Sequence, residues 1–345
     1  MEVTQVSRSI YADVSADETR VAIMEGGKLV DISIRRSEEK IAVGNVYLGV
    51  IKNVIEGINS CFVDIGSAKN AFLPISDYQG DIKKGGTVLI QMNKEEIHDK
   101  GAKMTGKISL PGRYIVFMPN EPKIGVSKNI ADQEERKRLK EILSSVTPKK
   151  SGFVARTTAQ KRNKKEIIRE AKFLIKKWDR INKTYKKLEM QKRPALLYAE
   201  SDLVLYAARE YLDDKTIVYH INNKEAYKKA MDYVKNLFPE LKGRVKYYDS
   251  DTELFDKFNI ESQIEVLKKR TINLECGGYI IIEQTEALTA IDVNTGSFTS
   301  GANREETAIK VNIEAARLAA SQVILRDIGG IVIIDFIDLN KRSNR

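Results

Sequence analysis

Near the C-terminus the hydrophobic pattern changes period twice. An apolar strand ends in AIDVN, residues 290–294, and a second, IVIIDFIDL, covers 331–339. Between them Ala308, Val311, Ala315, Leu318 and Val323 recur at helical spacing. Strand, helix, strand predicts a βαβ crossover, which lays the two strands parallel in one sheet. Asp292 and Asp335 then leave the same C-terminal edge, where open α/β sheets bind ligands.

Elsewhere the pattern predicts five further regions. Residues 1–36 read as a hairpin turning at Gly26-Gly27, too small to stand alone. Residues 40–118 carry short alternating strands punctuated by Gly and Pro, the mark of a small barrel. A charged helix follows in QEERKRLKEILSSV, then a strand ending on Arg156-Thr157. A long helix is marked by Ile167, Ile168, Ala171, Leu174, Ile175, Trp178 and Ile181. After Tyr198 come a helix near Tyr227–Phe238, a helix with Ile260, Ile264 and Leu267 facing inward, and a hairpin ending at Asp292.

Composition narrows the class. At 345 residues, 42% hydrophobic and 31% charged, the chain can hold two or more globular cores. It contains no apolar run of about 18 residues and no apolar centre of a signal peptide at its N-terminus. Cys61 and Cys276 lie far apart and form no metal-ligand spacing, which fits a reducing cytoplasm. Residues 161–193 hold 14 basic and 4 acidic side chains, a local excess equal to the net charge of +10. That density on one helix points to a polyanionic partner, although a solvated helix face gives the same pattern.

The candidate chemistry is of two kinds. Asp292, Asn294 and Asp335 form an oxygen-donor set with no His or Cys nearby, suited to Mg²⁺, with Mn²⁺ as the second candidate. An ion held there can activate water and neutralise phosphate charge. An Asp at a strand end also caps turns, so each alone is ambiguous. Arg156 and Thr157 place a guanidinium fork and a hydroxyl at one strand end, a pair able to hold a terminal phosphate. Gly277-Gly278 and Gly329-Gly330 precede strands, which argues against a nucleotide-binding phosphate loop.

The segment ALTAIDVNTG, followed by EETAIKVNIEAARLAASQVILRDIGGIVIIDFIDL, resembles the catalytic core of the RNase E/G family of bacterial endoribonucleases. The resemblance covers nearly the whole chain. It implies an α+β multidomain fold, with an RNase H-like structural subdomain formed by residues 1–38 and 195–275. Into this is inserted an OB-fold barrel of the S-one type at 39–112. A 5′-sensor region with the basic helix would occupy 113–194, and a DNase I-like catalytic subdomain 276–345. By position, Asp292 and Asp335 match the family's metal ligands and Asn294 its assisting amide. Phe62 and Phe72 match its base-stacking aromatics, Lys100 a basic RNA contact, and Arg156 and Thr157 its 5′-monophosphate sensor. The family continues past this strand to a Cys-x-x-Cys segment that links subunits through zinc. The sequence ends at Arg345 without that pair, so the resemblance implies an incomplete DNase I-like sheet and no zinc-linked homo-oligomer.

Two readings follow. In one, the chain is a cytoplasmic Mg²⁺-dependent endoribonuclease that cuts single-stranded A/U-rich RNA, leaving a 5′ phosphate and a 3′ hydroxyl. In the other it binds RNA without cutting, its metal site orphaned. The paired carboxylates favour the first and the early stop the second.

Overall fold

The computed structural model describes residues 7–36, 42–95, 101–200, 202–296 and 304–344. The chain is α+β, with four sheets among these residues.

The first sheet has the order Val245–Tyr247, Thr216–Ile221, Arg8–Val14, Glu18–Glu25, Lys28–Arg36. Its N-terminal three strands are antiparallel, and the two later strands add in parallel beside Arg8–Val14. The residues expected to form one hairpin therefore form a three-stranded meander. Gly26 and Gly27 make the second turn, both at positive φ. The first turn is the polar Ser15–Asp17, where the Ser15 hydroxyl accepts the Glu18 amide hydrogen. Ile10, Ala12, Val21, Ile23, Tyr219 and Ile221 line the face against the helix Lys224–Leu237. The opposite face buries Tyr11, Ala22 and Met24 against Leu254, Phe255 and Ile260.

Five strands close into a barrel: Val46–Ile55, Ser60–Asp64, Ala71–Pro74, Lys103–Thr105 and Thr87–Lys94, the last returning to the first. Alternation fills it with Ile51, Cys61, Val63, Leu73, Val88, Ile90 and Met104. The barrel is consistent with an OB-like fold. A sixth strand, Ala195–Tyr198, pairs antiparallel with Val46–Ile55.

Next along the chain, Leu110–Pro111, Ile115–Met118, Gly152–Ala155 and Ile124–Val126 form a small sheet. It packs Phe117 and Phe153 beneath the helices Gln133–Ser144 and Lys164–Leu188. The long helix starts in a capping box, Asn163 with Glu166, and buries Ile167, Ala171, Leu174 and Ile181. Its basic face is not wholly in solvent. Lys177 lies against the Tyr198 ring at 4.6 Å and donates to the Tyr198 hydroxyl at 2.8 Å. Burial pulls its ammonium pKa down.

The last sheet runs Thr271–Asn273, Tyr279–Gln284, Leu288–Asn294, Ile331–Asp335. Its last two strands are parallel, joined by the helix Arg304–Leu325, as the period changes predict. Val311, Ala315 and Ala319 of that helix cover Ile280, Ile282, Ile291 and Val293. Ile331 and Ile333 on the edge strand are 63% and 53% exposed.

Candidate functional site

Asp292 and Asp335 are register partners across the parallel pair, and both are exposed. With a side-chain period of two, Asn294 shares the face of Asp292. Its amide donates to Asp292 Oδ2 at 2.7 Å, which turns the amide oxygen away from the carboxylate. Two carboxylates suit an ion that keeps most of its waters, as Mg²⁺ does. No cluster of three or more His, Cys, Asp or Glu side chains able to hold a metal occurs among the described residues.

The segment after Asp335 is fixed from the helix, a connection the sequence did not reveal. Asn312 brackets Ile337, donating from Nδ2 to its carbonyl at 2.8 Å and accepting its N–H at 3.0 Å. One turn pair earlier on the same helix, Glu305 accepts the backbone N–H of Asn340 and Lys341. Thus the strand end bearing Asp335 continues into a tethered segment rather than a free one.

Arg156 and Thr157 leave the end of Gly152–Ala155, whose parallel neighbour ends at Val126 beside Ser127. The Thr157 and Ser127 hydroxyls lie 3.1 Å apart and exposed. Arg156 Nη1 and Nη2 pair with the Glu210 carboxylate at 3.0 and 2.8 Å, and Nη1 also reaches the Gly112 carbonyl at 2.7 Å. Burial works against the Glu210 charge, but Arg156 and Arg209 outweigh it and hold its pKa below the usual Glu value. Beneath this group Glu170, 1% exposed, accepts the N–H groups of Arg113, Tyr114 and Ile115 at 2.6, 2.8 and 3.1 Å. Gly112 makes room for it, since a Cβ there would sit 2.5 Å from Glu170 Cδ. Ser127, Glu170 and Glu210 were not marked by any local pattern.

On the barrel, Phe62 and Phe72 are register partners, half-buried, with ring centroids 6.1 Å apart and an interplanar angle of 68°. The row continues to Asn53 on one side and Lys103 on the other. Lys52 and Lys107 are neutralised by Asp64 and Asp77. Lys103 has no ion-pair partner among the described residues, and sequence reasoning passed over it. Lys100 lies outside the described residues.

No helix among the described residues is long and apolar enough to cross a membrane. The family description "Ribonuclease E/G family" matches residues 109–345. Ribonuclease G of Escherichia coli (strain K12) is 34% identical over 99% of this chain and 73% of its own length. Ribonuclease G of Haemophilus influenzae is 33% identical over 97% of this chain and 72% of its own. Ribonuclease E of Haemophilus influenzae is 36% identical over 97% of this chain but 37% of its own length. The chain belongs to the ribonuclease E/G family of endoribonucleases.

Proposed function

We propose that the chain is a Mg²⁺-dependent endoribonuclease that cuts single-stranded, A/U-rich RNA and leaves a 5′ phosphate and a 3′ hydroxyl. The observation that carries this reading is the register pairing of Asp292 with Asp335 at the C-terminal ends of parallel strands. Asp292 and Asp335 would hold Mg²⁺, or Mn²⁺, with phosphate oxygens and water completing its shell. When bound, such an ion would supply charge neutralisation at the phosphate and a bound water more acidic than bulk water. Asn294 fixes the rotamer of Asp292 through its 2.7 Å bond and keeps its second amide N–H for an oxygen of the reacting phosphate. Asn312 holds the chain beyond Asp335 so that the second carboxylate keeps its place.

The remaining assignments belong to the same proposal. Phe62 and Phe72 stack on bases, and Lys103 beside them, with Lys100, meets phosphates. Arg156 and Thr157 receive the RNA 5′-monophosphate. The first sheet, with its later parallel strands, serves as an RNase H-like scaffold over 1–38 and 195–275. The barrel at 39–112 is of the S-one type, residues 113–194 form the sensor region with the basic helix, and 276–345 belong to a DNase I-like unit. Ribosomal or transfer RNA precursors and messenger RNA in the cytoplasm are the fitting substrates.

The test is incubation of a 5′-monophosphorylated, A/U-rich oligomer with Mg²⁺ and with EDTA, followed by analysis of the product ends. Metal-dependent cutting with 5′-phosphate products supports the reading. Tight binding without cutting supports a non-catalytic RNA-binding role for this chain instead.

A further inference from the structure

We propose that Glu210 is the positioning residue of the 5′-phosphate sensor: it grips the end of the Arg156 guanidinium and leaves the Nε edge to meet the phosphate. This rests on the reading of Arg156 as the sensor and adds to it the residue that sets its orientation.

A guanidinium has five N–H donors in one plane. For Arg156, Nη1 spends both hydrogens, on the Gly112 carbonyl at 2.7 Å and Glu210 Oε1 at 3.0 Å. Nη2 gives one to Glu210 Oε2 at 2.8 Å. Among the described residues, Nε–H and the second Nη2–H have no acceptor. These two point the same way along one edge of the plane, the spacing that matches two oxygens of a phosphate. The Arg156 side chain is 31% exposed. Next along the backbone the Thr157 hydroxyl stands exposed, paired with Ser127.

Glu210 is itself rigidly mounted. Its Oε1 also accepts from Arg209 Nε at 2.8 Å, and Arg209, 8% exposed, pairs with Glu200. Glu210 ends the helix Leu203–Glu210, whose last carbonyls, at Ala208, Arg209 and Leu212 just beyond, are held by Arg113. Tyr114, the residue after Arg113, accepts the Arg156 backbone N–H at 2.8 Å. Backbone and side chain of Arg156 are therefore fixed by one connected group of residues.

Charge alone does not explain the arrangement. Arg156, Arg209, Glu210 and Glu200 sum to zero, so the cluster has little net attraction for a dianion. Removing the Glu210 charge would raise that attraction, whereas removing its grip would free the Arg156 side chain. The two roles predict opposite changes.

The experiment is fluorescence anisotropy in EDTA with one short single-stranded RNA carrying either a 5′-monophosphate or a 5′-hydroxyl. Wild type, Arg156→Ala, Glu210→Gln and Glu210→Asp are compared, with thermal melts to show that each folds. Wild type should favour the monophosphate, and Arg156→Ala should lose that preference. Glu210→Gln should lower the preference about 2- to 10-fold, the cost of ordering one long side chain. Glu210→Asp keeps the charge but withdraws the oxygens, so it should lower the preference too. It carries the test if Glu210→Gln does not fold. An unchanged or raised preference in the Glu210 variants, with Arg156→Ala behaving as expected, would overturn the role of Glu210 alone. An equal loss for both RNAs would mark Glu210 as merely structural and also overturn it. A preference that survives Arg156→Ala would overturn the sensor reading itself.

Discussion

Replacing Glu170 by Leu sets two large terms against each other. The carboxylate is 1% exposed and accepts three successive backbone N–H groups, those of residues 113–115. Leu fills a similar volume but accepts nothing. Each buried donor left without an acceptor costs about 1–3 kcal/mol, so three set a gross loss of about 3–9 kcal/mol. Against this stands relief from burying a charge, which costs several kcal/mol per ion. Burial pushes the Glu170 carboxyl above its usual range even with three backbone donors opposing it, so that relief is substantial. Replacing both members of a buried ion pair by apolar groups is often neutral or stabilising, whereas removing one costs about 3–5 kcal/mol. Here the donors are backbone and stay behind, so the second case applies. We expect a destabilisation of about 3 kcal/mol. Urea unfolding followed by Trp178, the single tryptophan and on the same helix as Glu170, reports on this unit directly. A Leu variant as stable as wild type, with an unchanged urea dependence, would refute the reasoning and show that desolvation governs the site. The loss should reach the sensor as well, because Tyr114 carries the Arg156 backbone contact.

Three other outcomes can be checked independently. Asn312→Ala should cost about 1–3 kcal/mol through the unpaired Ile337 amide, and should lower kcat more than KM in cleavage assays. The Glu210 pKa is depressed in the folded state, so its stabilisation is present above the ordinary value of 4.5 and lost as pH falls through the depressed one. Glu210→Gln should flatten that acid limb in urea midpoints measured across pH. Phe72→Ala should weaken single-stranded RNA binding by about 1–3 kcal/mol with little change in salt dependence, whereas Lys103→Ala should reduce the slope of log K against log salt by about 0.7.

The parts of the fold visible in the sequence were those with a local period. The change from strand to helix to strand around Ala308–Val323 fixes a parallel pair, and the side-chain alternation then brings Asp292 level with Asp335. The stripe from Ile167 to Ile181 likewise specifies which face of the long helix is buried. Periodicity does not say which distant group a polar residue will meet. Glu170 reads as one acidic residue in a basic helix, yet it lies inside, 55 to 57 residues from the strand it holds. Glu210 is 54 residues from Arg156, on a helix whose own pattern gives no reason for the pairing. The strand Ala195–Tyr198 joins the barrel through contacts about 150 residues away in sequence, and only the assembled sheet shows it. Lys103 was hidden by a register shift in its strand and by a more obvious lysine nearby.

The central claim is that Asp292 and Asp335 together carry metal-dependent RNA cleavage. Its most direct test is to measure cleavage and RNA binding side by side for wild type, Asp292→Ala and Asp335→Ala, across a Mg²⁺ titration. Both side chains are exposed, so both variants should melt like wild type. Cutting should be lost in each variant while RNA is still bound. Cleavage that persists in either variant at the wild-type rate and Mg²⁺ dependence would place the chemistry elsewhere.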